Sequence, residues 1–123
     1  MRDKRRILGQ KGEELAGLFL QEKGYHILDR NVRSRQGEID IIALDGHTLV
    51  FVEVRTRTQP TYGTAGESVT WRKRNKLREL ALSYLQSHSH SFPAFRMDVI
   101  AIHCPTGDLK DKTTQIQHIE YAF

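Results

Sequence analysis

Three carboxylates, Glu38, Asp40 and Glu53, sit in two otherwise largely apolar stretches within residues 37–57 (GEIDIIALDGHTLVFVEVRTR). Side chains alternate faces along a strand, so Glu38 shares a face with Asp40, and Glu53 shares one with Arg55. The Asp45-Gly46 dipeptide between the two halves, flanked by alternating apolar residues, predicts a hairpin. Antiparallel pairing then places the acids toward the ends remote from the turn. Carboxylates gathered there repel one another and resist desolvation unless a cation stands among them, which predicts a divalent metal site. Asp40 and Glu53 offer the oxygen ligands that Mg2+ prefers, a carbonyl from Val54 is within reach, and positions remain for waters and a phosphate oxygen. An ion held so would lower the pKa of a water and neutralise charge on a pentacovalent phosphorus, the two demands of phosphodiester hydrolysis. Arg55 can hold a phosphate bidentately and stabilise developing charge, but its pKa is too high for a general base. Proton abstraction falls instead to a hydroxide on the metal, a substrate phosphate or a carboxylate.

Helices are expected on either side of the hairpin in the chain. Residues 9–23 carry an apolar stripe of Leu15, Ala16, Phe19 and Leu20, with Gly24 as the C-terminal stop. At about 100° per residue, Glu13 falls at the margin of the stripe and can look along the sheet toward the acids, while Glu14 lies nearly opposite and should face water. The ordinary alternative for Glu13 is a favourable acid in a first helical turn. In residues 67–87, Leu77, Leu80, Ala81, Tyr84 and Leu85 mark the buried face of a second helix. Projected back one turn, that face takes in Thr70 and Lys73, whereas Arg72, Lys76 and Arg78 point away or sideways. The ordinary alternative for Lys73 is a stem that covers apolar surface while its head reaches solvent.

Strands are expected at 25–32, 38–44, 48–57, 95–102 and 113–121, the last at an edge. A loop at 60–66, containing Tyr62 and Gly63, begins just after Glu53 and Arg55 and is well placed to meet a substrate. Asp98, between Met97 and Val99, is either an outward residue or a support for the site. His88 and His90 lack a third ligand nearby and are read as non-ligands. The order αβββαββ implies an α/β fold, a mixed sheet flanked by helices.

A chain of 123 residues suits one domain with a real core. Hydrophobic residues at 38% and charged residues at 28% fit a soluble globular protein, and no apolar run approaches the roughly 20 residues of a membrane span. The basic N-terminus lacks an apolar segment of the secretory kind, so a cytoplasmic location is expected. Cys104 has no disulfide partner and no zinc-like spacing around it, and reads as an ordinary residue near a strand end. The net charge of +4 is concentrated in clusters at 2–6, 30–35, 55 with 57, and 72–78. Any one cluster is ordinarily a solvated face. Four beside an acidic constellation favour a nucleic acid, with Arg33, Arg35, Arg57, Arg72 and Arg74 as the candidate contacts. No sequence-reading motif such as a helix-turn-helix is present, so backbone and shape recognition is expected.

Gly12-Glu13, then Gly37-Glu38-Ile39-Asp40, Val52-Glu53-Val54-Arg55-Thr56-Arg57, Ser68-Val69-Thr70 with Lys73, and the terminal His118-Ile119-Glu120-Tyr121-Ala122-Phe123 resemble the YraN family of small bacterial proteins. The resemblance spans nearly the whole chain. That family is regarded as a relative of archaeal Holliday-junction resolvases in the restriction-endonuclease-like superfamily, whose motif is an Asp followed by Glu-x-Lys. The resemblance implies a restriction-endonuclease-like fold, with Asp40 and Glu53 as metal ligands, Glu13 as an additional acid and Arg55 at the catalytic lysine position. It also implies a Mg2+-dependent endonuclease, with Mn2+ as the substitute ion, acting on DNA that is branched or structured. Arginine at position 55 departs from the pattern. Lys73, aimed inward, is a candidate for the missing role, and the alternative is a nucleic-acid-binding module with weak or lost cleavage. A resolvase would need two active sites and hence a C2 homodimer, though no helix stripe announces one.

Overall fold

Local pairing rules carry most of the architecture. The computed structural model describes residues 4–59, 70–88 and 94–123. Its elements are α1 (Lys4–Glu22), β1 (His26–Ser34), β2 (Gly37–Asp45), β3 (Thr48–Arg57), α2 (Trp71–Ser87), β4 (Ala94–His103) and β5 (Gln115–Ile119). The strands form one sheet in the order β1-β2-β3-β4-β5. Pairing is antiparallel except between β3 and β4, which run parallel and are joined by the segment that carries α2. This is the mixed α/β fold of order αβββαββ expected above, consistent with a restriction-endonuclease-like sheet. The 60–66 loop, residues 67–69 of the expected second helix, Arg2 and His90 lie outside the described residues.

Each face of the sheet has its own core. Ala16 and Leu20 of α1 pack with Tyr25, Ile41, Ala43, Val50, Val52, Ile100 and Ile102. Leu77, Leu80 and Ala81 of α2 pack with Ile39, Ile42, Leu49, Phe51, Met97 and Val99 on the other side. Helix α1 is already formed at Lys4, the first described residue and earlier than residue 9, because Lys, Arg and Leu form helix readily and an interior glycine costs only about 1 kcal/mol. It stops where expected. Gly24 takes φ 92°, and the Tyr25 amide donates back to the Leu20 carbonyl at 2.9 Å.

The hairpin turns at Gly46, φ 61°, and pairs Asp45 with Thr48 through to Ile41 with Val52. Beyond Ile41 the ladder ends. Ile39 belongs to the α2-side core and Ile41 to the α1-side core, although strict alternation would put both on one face. Strand β2 is therefore irregular at Asp40, and on the neighbouring β1 Asn31 adopts φ 50°. The Val54 amide, left without a ladder carbonyl, donates to Asp40 Oδ2 at 2.8 Å.

Asp98 is not outward. It is fully buried, accepting from Arg96 Nε at 3.0 Å and from the Tyr121 amide at 3.1 Å, with His118 Nε2 at 2.7 Å. Arg96 also donates to Tyr25 Oη and to Asp45 Oδ2 at 3.0 Å. These bonds shorten the last strand. Tyr121 turns to φ 53° to reach Asp98, so β5 ends at Ile119 rather than 121. At its other end, Thr113 is held in a turn by Asp111 Oδ1, which delays the strand to Gln115.

Candidate metal centre

Helix α1 passes close over β3 because Gly12 faces Thr56 without a side chain, and this presents the next residue, Glu13, to the irregular part of β2. Carboxylate oxygens of Glu13, Glu38 and Asp40 all lie within 4.8 Å of one another. Asn31 ties two of them together. Its Nδ2 donates to Glu13 Oε2 at 2.9 Å and to Glu38 Oε1 at 2.7 Å, and Arg33 Nε lies 3.4 Å from Glu38 Oε2. Three hard oxygen donors with no nitrogen or sulfur among them could hold a metal ion, and they fit an oxygen-preferring divalent cation.

Glu53 stands on the other side of Asp40. Its carboxylate is 4% exposed, with Lys73 Nζ at 2.6 Å and Arg55 Nη1 at 3.8 Å. The lysine is delivered by its cap: Thr70 Oγ1 accepts from the Lys73 amide at 3.2 Å and fixes the first turn of α2. Burial first, and then the negative charge of Glu53, push the Asp40 carboxyl up to about 8. The Val54 amide opposes this, while Glu13 and Glu38 add to it. A carboxyl held protonated by burial, and then by like-charged neighbours, is one that a cation would convert to a ligand.

Two clefts meet at Asp40. One, of about 420 Å³, is lined by Glu38, Asp40, Glu53, Thr70, Arg72, Lys73 and Lys76 among others. The second, of about 310 Å³, is lined by Gln10, Glu13, Glu14, Arg30, Asn31, Asp40 and Ile41. Asp40 thus forms the wall between an acidic cleft and one whose far side is basic.

Of the residues expected from sequence, Glu13 and Asp40 meet directly, and Glu53, Arg55 and Lys73 form the adjoining group. Glu38 replaces Glu53 in the closest carboxylate set, and Asn31 organises it. The face shared by Glu38 and Asp40 was the signal for the first. Nothing in the pattern marks the second, since an asparagine in an edge strand reads as surface. Among the arginines, Arg72 lines the larger cleft, and Arg33, Arg35 and Arg57 are exposed. The guanidinium of Arg74 lies 5.7 Å from the centre of the Phe123 ring.

Residues 12–102 match the model of a family described as uncharacterised protein family UPF0102. A UPF0102 protein of Pelotomaculum thermopropionicum is 45% identical over 123 residues, covering 100% of both chains. One from Rhodococcus opacus is 46% identical over 94% of this chain and 95% of its own. A third, from Symbiobacterium thermophilum, is 47% identical over 89% of this chain and 94% of its own.

Proposed function

This chain belongs to UPF0102, the YraN family, and from that premise we propose that it is a metal-dependent endonuclease that hydrolyses phosphodiester bonds in DNA, branched or structured DNA above all. The observation that carries the reading is the position of Asp40, between a carboxylate set suited to a cation and a buried glutamate bonded to a lysine. Mg2+ is the proposed ion, with Mn2+ as substitute, and the likeness to Holliday-junction resolvases belongs to the same reading. When bound, such an ion supplies charge neutralisation at phosphorus and acidifies a water. Glu13, Glu38 and Asp40 would hold it, and Asn31 keeps the two glutamates in place. Glu53 orients Lys73, whose ammonium reaches the cleft and stands in for the lysine that Arg55 replaces. Arg55 and Arg72 offer donors to phosphate oxygens.

The test is cleavage of junction, flap, single-stranded and duplex DNA with Mg2+ or Mn2+. The parent is expected to cut at least one substrate, Asp40→Ala none, and Lys73→Met about a hundredfold more slowly. Absence of metal-dependent cleavage on every substrate would overturn the nuclease reading. Arg55 favours the second reading, a binding module with weak or lost cleavage. In that case Arg55→Lys is expected to restore cutting.

A further inference from the structure

We propose that Arg30 is a phosphate clamp: a DNA strand bound at the carboxylates seats a backbone phosphate against its guanidinium, on the side of Asp40 away from Lys73. The inference rests on the reading of the acidic cleft as a phosphodiester site. The smaller cleft lies between helix and sheet. Gln10, Glu13 and Glu14 line it from α1, and Arg30, Asn31, Asp40 and Ile41 line it from β1 and β2. Arg30 is the register partner of Ile41, which brings it beside Asp40, and its side chain then crosses to α1. A Cβ built at Gly17 would lie 2.5 Å from Arg30 Nη1 and 3.0 Å from Nη2, so the guanidinium rests in a notch that a glycine leaves open. Gly17 stands seven, four and three residues after Gln10, Glu13 and Glu14, so it continues the face of α1 that lines the cleft. Arg30 thus closes one end of the cleft, a helical turn from Glu13.

Among the described residues, no hydrogen bond or ion pair engages this guanidinium, even though Glu13 and Glu14 line the same cleft. Glu13 is held by Asn31 instead, and Glu38 by Asn31 and Arg33. Arg72, Lys73 and Lys76 all belong to the larger cleft, so Arg30 is the one cation among the described residues lining the smaller. An ion held by Glu13, Glu38 and Asp40 would leave the charge of Glu14 uncompensated on this side, and a phosphodiester arriving there meets repulsion unless a cation receives it. A guanidinium offers a planar fork of donors that matches two phosphate oxygens. Packed against Gly17, that fork has less freedom to lose on binding. With Arg72 and Lys76 in the larger cleft, the strand then meets a cation on each flank of Asp40, as suits a bond in the interior of a strand. An arm that merely covered the helix glycine would leave phosphate binding untouched.

Anisotropy of a labelled four-way junction and of a labelled single strand measures binding over a range of salt concentrations. Ca2+, which also takes oxygen ligands, replaces Mg2+, and a gel shows that the strands stay whole. Arg30→Ala is expected to weaken binding about tenfold and to make its salt dependence shallower by about one phosphate contact. Arg30→Lys keeps the charge but not the fork, so the salt slope should stay near the parent's while affinity falls severalfold. Gly17→Ala retains the arginine but crowds its seat; the group displaced is the far end of a flexible side chain, and alanine suits a helix, so the fold should hold. Its affinity is expected to fall about threefold or more, with urea denaturation confirming that each variant is folded. Parental affinity and slope in Arg30→Ala, or parental affinity in Gly17→Ala, would overturn the proposal. If Arg30→Ala binds as the parent does while the parent cuts DNA in Mg2+, the nuclease reading stands and the clamp alone falls. A loss in Arg30→Ala with no cleavage by the parent keeps the clamp and favours the binding module. If the parent neither binds nor cuts any DNA, both fall.

Discussion

At the scale of single residues, Asp40 concentrates the chemistry. Its carboxyl is raised from 3.8 to about 8, chiefly by burial and then by Glu53. Between those values the folded protein holds a proton that the unfolded chain has released. Stability is therefore expected to fall as pH rises from about 4 to about 8 and to level off above that, because the unfolded state binds fewer protons. Asp40→Asn should flatten this part of the profile, and Mg2+ should raise Tm more at pH 8 than at pH 5, where protons compete for the same oxygens. Thermal melts across pH, with Mg2+ and with EDTA, check both expectations. A Tm independent of pH in EDTA would mean that Asp40 ionises freely. Glu53, Glu13 and Lys73 could be aimed from strand and helix periods, whereas alternation breaks at Asp40 itself. Asn31 was not legible, since its role depends on a left-handed φ and on two acids from different elements.

At the scale of elements, the closeness of α1 to β3 decides whether Glu13 reaches the other carboxylates. A Cβ added at Gly12 would overlap Thr56 Oγ1 and come within 3.0 Å of the Thr56 Cβ. Gly12→Ala is expected to push α1 away and destabilise the fold by about 1–3 kcal/mol, with a loss of metal affinity as Glu13 retreats. Thr56→Ala removes the overlapping hydroxyl, and its buried Oγ1 has no hydrogen-bond partner to lose. The double variant should recover much of both effects, which urea denaturation and calorimetric Mg2+ titration would measure as a coupling energy. Equal losses in the single and double variants would mean that the helix is not held by this contact. The helices and strands were readable as elements, but their ends were not. The extra turns of α1 follow from propensity, whereas the end of β5 follows from Tyr121 donating to an aspartate of another strand.

At the scale of the whole molecule, acids in apolar strands serve two separate purposes. Asp98 looks in the sequence much like Asp40, yet its own bonds are to Arg96, His118 and the Tyr121 amide, and a buried arginine stands between it and the acids Asp45 and Glu120. Which fate an acid meets depends on residues that arrive from other strands, and spacing within one strand does not contain that information. Asp98→Ala strands Arg96 in the interior with Asp45 and Glu120 as its remaining ion-pair partners. A loss of about 3–5 kcal/mol is expected in urea denaturation, since it breaks a buried charge pair. A loss no larger than that of an exposed pair, about 1 kcal/mol, would show that the network is dispensable. No described helix is long and apolar enough to cross a membrane. The parallel pairing of β3 with β4 adds a consequence in time. The antiparallel strands β1, β2 and β3 are joined by short turns, whereas β4 can align only after the chain has returned across the sheet through α2. On that order of assembly, Glu38, Asp40 and Glu53 gather with Arg33 and Arg55 as their near countercharge, and the ammonium of Lys73 joins Glu53 last.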